Sequence, residues 1–335
     1  MQWSHALDNT RYAIQRLSRR LLDLPVIDKW FSPGRGVQQP LLGQQELAQL
    51  HAMASSSKGI GPASLREVKT LLAGERYSTY SGSGYEFAEN QRYVAGDDSR
   101  FINWRLLART GQLYRKVFYE ERRPQLWLVM DKRASMRFGS RQRLKVTQAA
   151  ILAIHHLYQA QHQQLACGGV VLTDQPQWHK AKHSLEALQA LITDIVAPAP
   201  PLHASHGATH TAFVLRQLEQ QVTPGSIIVL ISDFIELDND NLAALHSLAS
   251  RHSVLAWHVI DPIEQQLPEH GRYQVSTQPG TQTSWLDCDN PLIRQQYRQT
   301  MHQREENIKQ RLLRANVSYQ RVMTDENIVS VTGHE

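Results

Sequence analysis

Two apolar runs in this chain end in acids. Leu126-Trp127-Leu128-Val129-Met130 leads into Asp131, and Ile227-Ile228-Val229-Leu230-Ile231 leads into Ser232-Asp233. Ser135 follows shortly after the first acid. Gly207-Ala208-Thr209 lies between the two runs, just before a helical stretch. Two carboxylates, a serine and a threonine on one rim would make a hard oxygen site. Mg²⁺ prefers such oxygens, with waters completing an octahedron. The plainer reading has Ser135 and Thr209 capping helices while the acids merely end strands. Spacing alone leaves both open.

The elements that must position these residues follow from periodicity. Residues 126–130, 167–172, 226–231, 253–260 and 317–322 read as strands, several of them apolar on both faces. Residues 143–161, 184–196, 211–221, 238–250 and 291–315 read as helices. Such alternation predicts an α/β fold, a doubly wound and mostly parallel sheet covered on both sides. Ligands in such a sheet bind beyond the carboxyl ends of the strands, where Asp131 and Asp233 stand.

The sequence divides into three stretches. Residues 1–63 are an N-terminal helical segment and linker. Within them, 3–24 form an amphipathic pattern with Ala6, Ala13, Ile14, Leu17, Leu21 and Leu24 on one face. That face suits packing or partner docking, or a membrane surface. Residues 31–40 read as a linker and 45–53 as a short helix. Residues 64–123 are a polar elaboration rich in Arg, Tyr and Gly, and 124–335 hold the sheet.

The elaboration interleaves Arg92, Arg100, Arg105, Arg109 and Arg115 with Glu86, Glu89, Asp97, Asp98, Glu120 and Glu121. The aromatics are Tyr85, Phe87, Tyr93, Phe101, Trp104 and Tyr114. Arginine and aromatic stacking could serve nucleic acid or another anion. The acids favour an internally paired subdomain instead. Gly96-Asp97-Asp98 reads as a turn.

The formal net charge of +5 permits an acidic partner without demanding nucleic acid. Cys167 and Cys288 form no Cys-x-x-Cys pair, which argues against a disulfide framework or a zinc site and fits a reducing cytoplasm. The sequence shows neither a long apolar membrane span nor the apolar core of a signal peptide. It also has no P-loop and no Gly-x-Ser-x-Gly elbow. Gly82 and Gly84 lack the third glycine of a dinucleotide fingerprint. His155 and His156 are adjacent on a helix and diverge, so they do not share a metal easily. His203, His206 and His210 flank Thr209 and could add pH sensitivity.

Residues 74–139 resemble the bacterial domain-of-unknown-function family fifty-eight. The likeness rests on Gly74-Glu75-Arg76-Tyr77-Ser78, Gly84-Tyr85-Glu86-Phe87, Arg92-Tyr93, Gly96-Asp97-Asp98, and Arg100, Ile102 and Trp104. It continues through Ala108-Arg109-Thr110, Glu120-Glu121-Arg122 and Ser135-Met136-Arg137-Phe138-Gly139, and later Ile231-Ser232-Asp233-Phe234 and Asp261-Pro262. Members resemble von Willebrand A domains, and their genes often lie beside those of MoxR-type AAA+ ATPases. The resemblance implies a protein-interaction module, an adaptor or partner of such an ATPase, with no particular catalytic activity. The rim would grip the partner through Arg133, supported by Arg92, Arg100, Trp104 and Arg109.

One departure bears on the cofactor. The A-domain metal motif reads Asp-x-Ser-x-Ser, whereas here Asp131-Lys132-Arg133-Ala134-Ser135 puts Arg133 at a ligand position. Arginine offers no lone pair and keeps its charge. It could point away, leaving Asp131, Ser135, Thr209 and Asp233 to bind Mg²⁺ weakly. It could instead turn inward and neutralise the acids. The expectation is a degenerate site with no cofactor, or weakly bound Mg²⁺. A metal-dependent phosphate-ester hydrolase and a nucleic-acid binder stand as alternatives.

Overall fold

The computed structural model describes residues 40–56, 81–82, 86–94, 98–119, 124–199, 210–276 and 283–327. The amphipathic pattern at 3–24, most of the linker at 31–40, the Gly96-Asp97 turn, and Thr209 with His203 and His206 lie outside them.

A first helix, α1 (Gln44–Ser56), precedes a small antiparallel sheet of β1 (Ser81–Gly82), β2 (Glu86–Arg92) and β3 (Tyr114–Tyr119), with β3 in the centre. Between β2 and β3 runs α2 (Trp104–Thr110). It is capped by Asn103 at its start and closed by Gly111, whose φ of 71° suits a residue without a Cβ.

The large sheet begins with β4 (Gln125–Asp131), followed by α3 (Lys145–His162), β5 (Ala166–Leu172), β6 (Gln177–Lys182), α4 (Leu185–Val196) and α5 (Thr211–Glu219). It continues with β7 (Ile227–Ser232), α6 (Asn239–Ala249) and β8 (Ser253–Ile260). A hairpin of β9 (Arg272–Ser276) and β10 (Thr283–Asp287) leads to α7 (Pro291–Arg314) and β11 (Ser318–Met323). Strand order is β11-β8-β7-β4-β5-β6. All pairings are parallel except that of the edge strand β6. This is a doubly wound, mostly parallel α/β sheet.

The uninterrupted apolar runs are explained by burial on both faces. Leu126, Leu128 and Met130 of β4 point into one core with Ile227, Val229 and Ile231 of β7, under α1, α3 and α4. Trp127, Val129, Ile228 and Leu230 point into the other, under α5, α6 and α7. At ~1.5–3 kcal/mol for each fully buried aliphatic side chain, these two layers dominate the folding energy.

From β4 the chain winds outward through β5, then crosses back to β7 on the other side. The reversal leaves a crevice between the carboxyl ends of β4 and β7. That crevice is where Asp131 and Asp233 meet.

Candidate functional site

Asp131 ends β4 with no exposed surface, and all its acceptor directions are taken. Its Oδ1 accepts from the Arg133 backbone N–H at 2.9 Å and from Arg133 Nε at 3.0 Å. Its Oδ2 accepts from Arg133 Nη2 at 2.7 Å and from Ser232 Oγ at 2.9 Å. Arg133 has therefore turned inward, in the bidentate geometry that guanidinium favours. Its remaining Nη1 reaches Glu236 Oε2 at 2.5 Å. Burial works against the Arg133 charge, but Asp131, Glu236 and Asp233 more than offset it and raise its pKa.

Ser232 and Asp233 are consecutive at a strand end, so their side chains diverge. Ser232 serves Asp131, whereas Asp233 Oδ2 accepts from Lys145 Nζ at 2.9 Å. Phe234, at a left-handed φ of 50°, turns the chain so that its own N–H caps Ser232 Oγ at 3.1 Å. The Ile235 N–H reaches Asp233 Oδ1 at 3.3 Å, and the Ser135 side chain also bonds the carboxylate. Burial pushes the Asp233 carboxyl upward. Lys145, Ser135 and the Ile235 amide outweigh it and hold it below the ordinary carboxylate range.

Lys145 is the residue that sequence reasoning missed. It opens α3, where the helix dipole disfavours a cation, and it is almost fully buried. Two acids hold it there, Asp233 and Glu264, the latter at 2.8 Å. Glu264 in turn accepts from the Asp261 backbone N–H in a capping box. Asp261 accepts from Thr324 Oγ1 at 2.9 Å, from the Ser140 backbone N–H at 2.8 Å, and from the Ser140 hydroxyl. A buried polar chain thus ties the ends of β7, β8 and β11 to the start of α3. Gly139 allows the loop before α3 to fold so tightly, because a Cβ there would collide with the Arg143 carbonyl.

These donors decide whether a divalent cation fits. Asp131 has no acceptor direction to offer, and Asp233 is paired with the Lys145 ammonium. The residues present do not fit Mg²⁺. Arginine and lysine supply the positive charge internally. Among the described residues no group of three His, Cys, Asp or Glu could hold a metal ion. His155 and His156 are buried on α3 with ring centroids 6.0 Å apart.

What remains at the surface of this rim is Glu236, 59% exposed, next to the exposed side chain of Ile235. Below Arg133 a cavity of about 40 Å³ opens among Val129, Leu172, Leu215 and Leu245, with Thr211 and Asn241 in its wall. That is room for a few waters.

The other predicted partner residues lie on the small sheet. Arg92 ends β2, Trp104 and Arg109 lie on α2, and Arg100 forms an exposed pair with Asp98 at 2.6 Å. None of the hydrogen bonds described links them to Asp131 or Asp233.

A family model described as "Protein of unknown function DUF58" matches residues 89–307. Uncharacterized proteins of Mycobacterium bovis and Mycobacterium tuberculosis are 30% identical over 207 residues, which is 60% of this chain and 63% of theirs. The chain thus spans less than two thirds of the length of those curated relatives. Among solved structures, an aerotolerance-related membrane protein from Bacteroides fragilis gives a TM-score of 0.37 at 15% identity, covering 63% of this chain and 95% of that one. The PilB minor pilin from Streptococcus sanguinis gives 0.32 at 10% identity, covering 67% and 63%.

Proposed function

The chain belongs to the DUF58 family of proteins of unknown function, and from that premise we propose that it is a protein-interaction module that grips its partner without a bridging metal. The observation that carries this reading is the pair of built-in cations, Arg133 on Asp131 and Lys145 on Asp233. A von Willebrand A-like rim that closes its own acids meets a partner through what is left exposed. Here that is the Glu236 carboxylate next to the exposed Ile235, a charged group beside an apolar one. Such a mixture suits a protein interface. The resemblance of the sequence to MoxR-associated proteins makes a MoxR-type AAA+ ATPase the partner of choice. A hydrolase that uses Asp131 gains no support, since both carboxylate oxygens are engaged and out of solvent reach.

The test is binding of the purified, nucleotide-free ATPase from the same host, measured by interferometry with and without EDTA. Affinity should be indifferent to EDTA and should fall roughly tenfold or more in an Ile235→Asp, Glu236→Lys variant, as loss of an interface anchor does. Absence of binding, EDTA-sensitive binding, or undiminished binding by the folded variant would each defeat the reading.

A further inference from the structure

Between Asn90 and Lys116 the sequence carries six basic residues, Arg92, Arg100, Arg105, Arg109, Arg115 and Lys116, and only two acids, Asp97 and Asp98. This short stretch holds most of the chain's formal net charge of +5. Two of the six are partnered: Arg100 on Asp98, and Arg115 on Gln91 at 3.0 Å. Arg92, Arg105 and Arg109 are exposed, and none of the ion pairs among the described residues involves them.

The fold gathers these cations. Residues directly opposite in an antiparallel pair share a face. Arg92 pairs with Tyr114 and Asn90 with Lys116, so these four line one side of the small sheet. Asn103, the cap of α2, bonds Asn90 at 2.8 Å, which brings the start of α2 to that side. The helix is about 10 Å long at ~1.5 Å per residue, so Arg105 and Arg109 stand close to the strands. The same stretch carries uncovered apolar surface: Trp104 and Val94 are each 64% exposed. The Tyr93 N–H bond to the Leu113 carbonyl at 3.0 Å continues the ladder past Arg92, so Val94 follows Arg92 on this side while Leu113 lies on the other.

We propose that this face of the small sheet is a second docking surface, one that binds an acidic segment of a protein partner carrying aliphatic side chains. Free guanidinium groups around a tryptophan are the composition of protein-interface anchors. They pair with carboxylates bidentately. The aliphatic member of this face decides against a nucleic acid. Val94 has no π-face for a base to stack on, whereas stacking is what holds single strands on such platforms. The inference is independent of the rim at Asp131 and Asp233 and of the identity of any ATPase.

Fluorescence anisotropy on the full chain tests it with three probes at near-physiological salt. These are a labelled peptide of glutamates interspersed with leucines, oligothymidylate of equal charge, and vesicles containing phosphatidylserine. The peptide should bind saturably, and more tightly than either other probe. An Arg105→Glu, Arg109→Glu variant and a Trp104→Ser variant should each weaken it roughly tenfold or more while melting as the unaltered protein does, because the replaced side chains are solvent-exposed. No saturable peptide binding, or peptide binding unchanged in the folded variants, would overturn the proposal. Tighter binding of oligothymidylate or of the vesicles, lost in the same variants, would reassign the surface to nucleic acid or membrane.

Discussion

A lysine in the first turn of a helix, only 1% exposed, sits where both the helix dipole and desolvation oppose it. Among the described residues Lys145 is held by Asp233 and Glu264, so removing it leaves two acids without their cation. Breaking a buried pair from one side costs roughly 3–5 kcal/mol. Lys145→Met should therefore lower the urea unfolding free energy by about that much at pH 7. The double variant with Asp233→Asn should recover part of the loss. The pH dependence has a defined sign. In the unaltered protein the Asp233 pKa is depressed, so the pair's stabilisation is complete above the unfolded carboxylate value of ~3.9 and fades as pH falls through the lower folded value. In Lys145→Met, Asp233 loses the strongest influence that lowers its pKa and keeps only the Ser135 and Ile235 hydrogen bonds against burial, so its carboxyl rises and acid should narrow the gap to the unaltered protein. A deficit that stays constant from pH 7 to 4 would show that the pair does not control it. Arg133 was legible as a departure because it breaks an Asp-x-Ser-x-Ser spacing. Lys145 was not, since a lysine beside an apolar helix reads as a solvated flank, and the acids that hold it lie far along the chain.

The central strands of the sheet were legible because burial on both faces leaves no polar position to interrupt the run. The 253–260 strand is found as Ser253–Ile260, and the helices fall within a few residues of their expected ends. The edge strand β6 was not legible. Gln177-Trp178-His179-Lys180-Ala181-Lys182 is the polar, lysine-bearing sequence that protects a sheet edge from further pairing, and it looks like loop. The β9–β10 hairpin was missed as well, since its strands are short and polar. Lys132 acts at this scale. Its Nζ donates to the carbonyls of Asp194 at 2.8 Å, Ile195 at 3.2 Å and Ala197 at 2.8 Å, which closes the carboxyl end of α4. A cation there also complements the helix dipole. Lys132→Met keeps the buried stem but leaves three carbonyls without this donor, which should cost about 1–3 kcal/mol. Hydrogen exchange should quicken first in the last turn of α4. Uniform acceleration across the sheet, with no excess in α4, would contradict that placement.

The whole molecule carries an acid sensitivity separate from its carboxylates. His155, His156, His252 and His258 are buried, and His155 has no hydrogen-bond partner at either ring nitrogen. Burial pushes His155 and His252 down to about 4, and His156 and His258 to about 3. For His258 the opposing pulls of Asp233 and of Lys145 and Arg304 are smaller than burial. A group whose folded pKa is depressed below its unfolded value of ~6.5 is neutral in the fold where the unfolded chain is protonated. Stability is therefore complete above about pH 6.5 and falls as pH drops toward 4, by up to ~1.4 kcal/mol per pH unit for each such histidine. The Lys145–Asp233 pair changes only at lower pH, so the interval between pH 6.5 and 4 belongs to the histidines. Urea midpoints should fall steadily from pH 7 to 5. Replacing His155 and His156 together by leucine should flatten that slope by about half, since the four residues contribute alike per pH unit in that interval. A midpoint independent of pH in this interval would mean that the imidazoles gain partners on protonation. An undiminished slope in the double variant would place the titrating groups elsewhere in the chain.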